Sequence, residues 1–353
     1  VALTRAKSHV QISYALQDQQ AKPKQRAIFI DELLGSKSTN FQQGKVTDTQ
    51  LMGSQILQLV SPSEVVLPTA PKAYIDQLLA DFRMSISALN TYLRCPLSFY
   101  YVFILKVPVL FSEAAAYGTA MHYALQQLFL KMQSSRPKNF PSERAFIQYF
   151  EQEMQRLRFY FSEESFAQQL QRGQYALKRY YQYYYGRWSK KVIVEYTIRT
   201  AEIAGVPLTG TIDKIEFQES QNVHIVDYKT GSHQSKKLRR PTEKNPLGGI
   251  YWRQLVFYKL LYEHFDKTGK IAQSASIAYL DPGSQGIIQE ETLTFTQEDT
   301  QQVKRMIQET HQAILRHDFY QGCNEPTCHW CNFVKNQQLG RRRKQTELEE
   351  LDD

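Results

Sequence analysis

The stretch Val223-His224-Ile225-Val226-Asp227-Tyr228-Lys229-Thr230-Gly231 decides how the rest of the chain is read. Its apolar, β-branched run marks a strand that ends at Thr230-Gly231. Side chains alternate along a strand, so Asp227 and Lys229 project from the same face. A second strand candidate, Leu208–Phe217, precedes it across a polar turn and carries Gly210-Thr211-Ile212-Asp213. Hairpin pairing can place Asp213 beside Asp227. Two carboxylates brought together repel unless a cation sits between them, and an oxygen-rich site of this kind suits Mg²⁺. A lysine two residues beyond such a ligand can orient or help deprotonate a water, and a divalent ion can stabilise charge developing on a phosphate. An isolated Asp-x-Lys is abundant by chance and usually a surface pair. Two flanking pieces change that: Gly118-Thr119-Ala120-Met121-His122 opens a helix upstream, and Arg253-Gln254-Leu255-Val256-Phe257-Tyr258 starts one downstream.

Further strands are expected at Val192–Arg199, Ala275–Leu280 and Ile287–Phe295. Helices are expected from Ser85 or Ser87 through Leu93, then at Leu97–Leu105, Tyr117–Lys131, Ser142–Leu157, Ser165–Tyr185, Ile250–Phe265 and Gln297–Arg316. Helices, three strands, a helix, strands and a helix suggest a mixed sheet with helices packed on it. A compact body is expected over 84–335. Ahead of it lie a short strand in 1–16 and a connector over 17–83. That connector holds helical candidates near Ala27–Leu34 and Thr49–Val60 and is broken at Pro62, Pro68 and Pro71. The tail, 336–353, is dense in charge and reads as solvated.

At 353 residues the chain is long enough for about two folded units, and 42% hydrophobic content excludes a wholly disordered chain. No apolar run approaches the length of a membrane span, and Val1–Lys7 lacks the apolar centre of a signal peptide. Opening on Val1 rather than Met, the sequence is expected to be a piece of a longer protein. A net charge of +8 is compatible with a polyanionic partner but also common in ordinary proteins, so by itself it decides nothing. Four cysteines are too few for a disulfide scaffold. Cys323, Cys328 and Cys331 cluster at the end of the body and suggest metal ligation in a reducing, cytoplasmic setting. With Cys95 they could close a tetrahedral zinc site or an iron–sulfur cluster, and spacing does not choose between them. Free buried thiols are the third possibility.

The ordered set of motifs resembles the RecB-like branch of the PD-(D/E)XK nucleases, which includes the nuclease domains of the RecBCD and AddAB helicase–nucleases. That branch carries a G-x-x-x-H helix, G-x-x-D, a D-Y-K-T-G strand end and Q-x-x-x-Y on a helix, all met here in that order. The resemblance implies an α/β restriction-endonuclease-like core, a mixed central sheet flanked by helices, with an added N-terminal helical region. By it, His122, Asp213, Asp227 and the backbone carbonyl of Tyr228 would hold Mg²⁺, with Mn²⁺ tolerated because one ligand is an imidazole. Lys229 would be the catalytic lysine, Gln254 would position that lysine or the attacking water, and Tyr258 would lie near the DNA. The activity implied is exonuclease-type hydrolysis of DNA during double-strand-break repair, with a helicase motor on the parent chain and a second subunit as partners. A relative with an eroded site, serving as a DNA-binding or scaffold module, is the alternative.

Members of this branch also carry a [4Fe–4S] cluster joining an early cysteine to three late ones, as Cys95, Cys328 and Cys331 would. Their late pattern, C-x2-C-x5-C, would end at the position of Gln337, whereas here Cys323 lies ahead of the pair. Val1–Lys7 and the strand to Tyr14 resemble motif VI of UvrD/Rep-type superfamily 1 helicases, and Ala27–Leu33 resembles the segment that follows it. Arg5 would then match an arginine that touches the nucleotide's terminal phosphate. With no phosphate-binding loop in the sequence, ATP hydrolysis is not expected. Two further stretches are candidates for DNA contact. In Lys178–Trp188, Tyr180, Tyr184 and Trp188 recur at helical spacing and are either a core stripe or a base-stacking platform. Lys236, Lys237, Arg239 and Arg240 form a basic loop just after the Asp227 strand, either phosphate-binding or merely exposed.

Overall fold

The computed structural model describes residues 70–336, apart from 110, 220, 267, 284 and 285, together with scattered positions before 70. The strand expected before Tyr14, Arg5, most of the helical candidates near 27–34 and 49–60, and the tail beyond 336 lie outside the described residues. The chain divides into two units, 1–63 and 64–353, and the second is the one described below.

Five strands form one mixed sheet in the order β1-β2-β3-β4-β5. These are β1 (Val192–Ile203), β2 (Val206–Phe217), β3 (Asn222–Lys229), β4 (Ile271–Tyr279) and β5 (Gln289–Thr294). β1–β2 and β2–β3 are antiparallel hairpin pairs. β3 and β4 run parallel, because the chain between them crosses over through a helix, Ile250–Phe265. β5 returns antiparallel on β4. β3 is buried along nearly its whole length, as expected of a central strand covered on both faces.

The helices, in chain order, are α1 (Lys72–Ala80), α2 (Ile86–Arg94), α3 (Pro96–Phe99, continued by a π-helical turn Tyr100–Ile104), α4 (Glu113–Ser134), α5 (Glu143–Arg156), α6 (Glu163–Tyr184), α7 (Ile250–Phe265) and α8 (Gln297–Leu315). Serine side chains cap four of them: Ser85 on α2, Ser112 on α4, Ser142 on α5 and Ser162 on α6 each accept from the amide three residues on. Two apolar clusters fill the two sides of the sheet. One joins α1, α2, α7 and α8 to Ile212, Ile215, Val223 and Ile225. The other joins α4, α5 and α6 to Val226, Tyr228 and Ala278. The α/β core with a mixed sheet flanked by helices is therefore as expected.

α1 lies ahead of position 84, where the compact body was expected to begin. Pro71, read as a breaker, is instead its N-cap, a role that suits a residue unable to continue a preceding helix. Ile75 and Leu79, one turn apart, are buried in the first cluster. Met84 also joins the body by main-chain bonds to β2, its amide to Pro207 O at 2.9 Å and its carbonyl to Thr209 N at 3.1 Å. The Tyr180, Tyr184 and Trp188 stripe belongs to the core rather than to a stacking platform: Tyr180 and Trp188 are buried, and the Tyr184 hydroxyl donates to Glu290.

Ile75→Ala should lower unfolding free energy by about 2–5 kcal/mol if α1 is integral to the body. Leu130→Ala, on the exposed side of α4, should cost less than about 0.5 kcal/mol. Urea denaturation followed by circular dichroism reads both, and equal small effects would place α1 outside the cooperative unit.

Candidate active site

β2, β3, α4 and α7 each contribute a polar side chain to one point on the sheet. Asp227 is 1% exposed. Its Oδ1 accepts from Gln254 Nε2 on α7 at 2.7 Å, and its Oδ2 lies 2.6 Å from Lys229 Nζ. No aligned hydrogen bond reaches that Oδ2. Gln254 Nε2 also donates to the Tyr258 hydroxyl at 3.0 Å. The glutamine thus locks Asp227 rather than reaching Lys229, and Tyr258 braces the glutamine from one helical turn away. Tyr258 is 6% exposed, so the expectation that it meets DNA is corrected: its ring is core and its hydroxyl is spent inside the site.

Asp213 Oδ2 accepts the main-chain amide of Tyr228 at 2.8 Å, which ties the two motif strands together through the carboxylate. His122, from α4 on the opposite face of the sheet, places Nδ1 3.6 Å from the same oxygen. α7 packs closely over β2 at Gly210, where a Cβ would come 2.9 Å from Leu261 Cδ2. A side chain at the glycine of the G-x-x-D motif would require Leu261 to shift, so glycine eases this close packing of the Gln254 helix on the Asp213 strand. At Gly118, by contrast, a Cβ would meet only Thr230 Oγ1 at 3.6 Å, an ordinary contact.

A residue not anticipated completes the group. Glu195 lies in β1 between the pairs Val194↔Lys214 and Tyr196↔Ile212, across from Asp213. Its φ is +50°, a left-handed conformation that a glutamate in a strand interior adopts only at a cost of about 1–3 kcal/mol. Donor atoms of His122, Glu195 and Asp213 all lie within 4.8 Å of one another. A carboxylate set inside the apolar run Val192-Ile193-Val194-Glu195-Tyr196 was the signal available in the sequence. Its φ was not, because strand alternation assumes regular backbone.

The electrostatics show what this grouping lacks. Burial and the neighbouring Asp227 charge push the Asp213 carboxyl well above the usual carboxylate range. Burial, then Asp227, raises Glu195 as well. Burial lowers His122, against the pull of Asp227, which favours the neutral imidazole a metal requires. Burial also opposes charge on Lys229, but Asp227 and then Asp213 outweigh it and raise its pKa. One ammonium therefore faces three carboxylates, and a buried carboxylate oxygen is left without an aligned donor. The donors, an imidazole and carboxylate oxygens, fit a divalent cation such as Mg²⁺ or Mn²⁺.

Of the basic loop, Lys237 lies closest to this chemistry: its Nζ is 5.1 Å from the centre of the Tyr251 ring, as is the Nζ of Lys229. Lys236 and Arg239 are exposed. Arg240 is otherwise engaged, with Nε and Nη2 on the Asp299 carboxylate at 2.8 and 2.9 Å and Nη2 on Thr294 O at 2.7 Å. It holds the loop to α8 and remains exposed. Far along the chain from one another, Cys95, Cys323, Cys328 and Cys331 converge with all four sulfurs within 4.8 Å. Cys95 sits at the α2–α3 junction, so the cluster fastens the start of the body to its end.

Paired acids and a lysine on the central strands of a mixed, helix-flanked sheet define a nuclease. The chain belongs to the PD-(D/E)XK nuclease superfamily, whose profile matches residues 83–335. No curated protein matches it. Among solved structures it is similar to a protein of Eubacterium rectale to which an exonuclease activity is ascribed, at 13% identity over 76% of this chain and 94% of that one, with a TM-score of 0.45. It is also similar to SSO0001, at 12% identity over 73% and 85% of the two chains, with a TM-score of 0.27.

Glu195→Gln should weaken Mn²⁺ binding at least about tenfold by titration calorimetry, a loss of about 1.4 kcal/mol. Glu195→Gly should weaken it too while raising unfolding free energy by about 1 kcal/mol, because glycine relieves the positive φ. Because Asp213 holds its proton to higher pH than an ordinary carboxylate, metal uptake should release protons. Mn²⁺ affinity should then rise with pH from the acid side, and an affinity independent of pH would contradict the charge assignment.

Proposed function

We propose that the chain is a divalent-metal-dependent deoxyribonuclease, the nuclease portion of a RecB/AddA-like helicase–nuclease that degrades DNA ends in double-strand-break repair. The observation that carries this reading is the convergence of His122, Asp213, Asp227 and Lys229 from α4, β2 and β3 around one cation-deficient point. In this reading His122, Asp213 and Glu195 hold Mg²⁺, with Asp227 and the Tyr228 carbonyl completing the set. A bound divalent ion supplies the positive charge that stabilises the phosphate in its transition state.

The residues of the chain do the rest. Gln254 holds one oxygen of Asp227, which keeps the other directed at Lys229. Lys229 is a charged ammonium, so it orients a water and neutralises the phosphate instead of accepting a proton. Lys237, beside Tyr251 and Lys229, is placed to meet the adjacent phosphate, with Lys236 and Arg239 further out on the same loop. Among the described residues no helix is long and apolar enough to cross a membrane. The helicase motor and the second subunit are the partners this reading requires.

With linear DNA and Mg²⁺, Asp227→Ala and Lys229→Ala should each reduce cleavage by a factor of at least about 10³. Gln254→Ala should reduce it less, since it removes only the brace on Asp227. Lys237→Ala should weaken DNA binding and flatten its dependence on salt. Undiminished Mg²⁺-dependent cleavage by Asp227→Ala would refute the assignment.

A further inference from the structure

The four cysteines report on what they hold through the distances between their sulfurs. Cys95 Sγ lies 3.8 Å from Cys331 Sγ and 3.8 Å from Cys328 Sγ, and Cys323 Sγ lies 3.8 Å from Cys331 Sγ. All four are unpaired as disulfides. Bonds of about 2.3 Å from one zinc ion to the corners of a tetrahedron set the sulfurs about 3.8 Å apart. A [4Fe–4S] cluster demands a different shape. Each of its thiolates binds a different iron at a separate corner of the cube, so the cube itself stands between the sulfurs and spreads them well beyond contact. No such cube fits among sulfurs this close.

The surroundings add polar contacts to the group. Ser98 N donates to Cys95 Sγ at 3.4 Å, and the Ser98 hydroxyl lies 3.5 Å from Cys328 Sγ. Donors around the sulfurs hold such ligands in place. Asn324 takes a φ of +58°, a turn conformation that asparagine tolerates, next to Cys323. At Gly322 a Cβ would come 2.7 Å from Cys331 Sγ, so the loop passes close against that sulfur. Stacking of Trp330 on Tyr101, with centroids 4.4 Å apart, closes the flank.

We propose that Cys95, Cys323, Cys328 and Cys331 bind a single tetrahedral zinc ion and not an iron–sulfur cluster. The ion ties the α2–α3 junction to the segment just before the end of the described chain. With all four positions filled by thiolates it has no open site for substrate, so its part is structural. Binding displaces the remaining thiol protons to solvent, and no electron transfer is involved.

The test uses the intact chain, expressed with both iron and zinc supplied and purified without oxygen. Elemental analysis should find one zinc per chain with no iron and no acid-labile sulfide, and the protein should be colourless. Replacing the zinc by Co²⁺ should produce the intense visible bands of a tetrahedral cobalt–thiolate centre, and Cys323→Ser should shift them. Zinc should persist in Asp213→Ala, which separates this site from the nuclease site and makes the outcome independent of the proposed activity. Iron and sulfide in equal amounts with a brown chromophore would overturn the proposal. So would metal-free protein whose four thiols react freely.

Discussion

Three carboxylates, Glu195, Asp213 and Asp227, are gathered around a single ammonium in a region from which most water is excluded. Isolated charges in such surroundings cost several kcal/mol each unless they are paired or neutralised. The chain answers part of that cost itself. Lys229 pairs with Asp227, Gln254 donates to it, and the Tyr228 amide satisfies Asp213. The remaining imbalance is the functional feature, because it can be relieved only by a proton or by a cation. The carboxyl pKa values of Asp213 and Glu195 are raised by burial and by the Asp227 charge, which is that condition seen from the acids, while burial alone outweighs Asp227 to lower the imidazole of His122.

The fold exists around this point in a concrete sense. His122 comes from the helical layer on one side of the sheet and Gln254 from the layer on the other, while β2 and β3 supply the acids and the lysine between them. α7 packs over β2 at Gly210, where Leu261 Cδ2 would lie 2.9 Å from a Cβ. Asp299 then fixes the other end of that helix, accepting from Trp252 Nε1 at 2.8 Å while also binding Arg240 and capping α8. Backbone strain at Glu195 is the visible cost of aiming a third carboxylate at the same point, and such strain persists only where the surrounding structure enforces it.

Much of this was legible in the chain's pattern. Period-two and period-three-to-four spacing, with β-branched runs and turn residues between them, located the five sheet strands and the long helices. The D-Y-K-T-G strand end, with His122 and Gln254 on flanking helices, pointed to one site through its resemblance to the RecB-like nuclease pattern. What escaped has physical causes. Glu195 was hidden because its role depends on a φ that no side-chain pattern encodes. Tyr258 was placed at the DNA by resemblance, whereas its spacing of four from Gln254 on an apolar helix face already allowed a supporting role in the core. α1 was missed because prolines at 62, 68 and 71 read as a broken segment, although the last of them starts a helix. Spacing grouped Cys323, Cys328 and Cys331, whereas the approach of Cys95 to them exists only in three dimensions.

A crystal soaked in Mn²⁺ and measured at the manganese absorption edge tests the central claim most directly. An anomalous peak bonded to His122, Asp213 and Glu195, with Lys229 still against Asp227, is the result predicted. Density showing those side chains turned apart, or manganese bound elsewhere while this point stays empty at saturating metal, would contradict it.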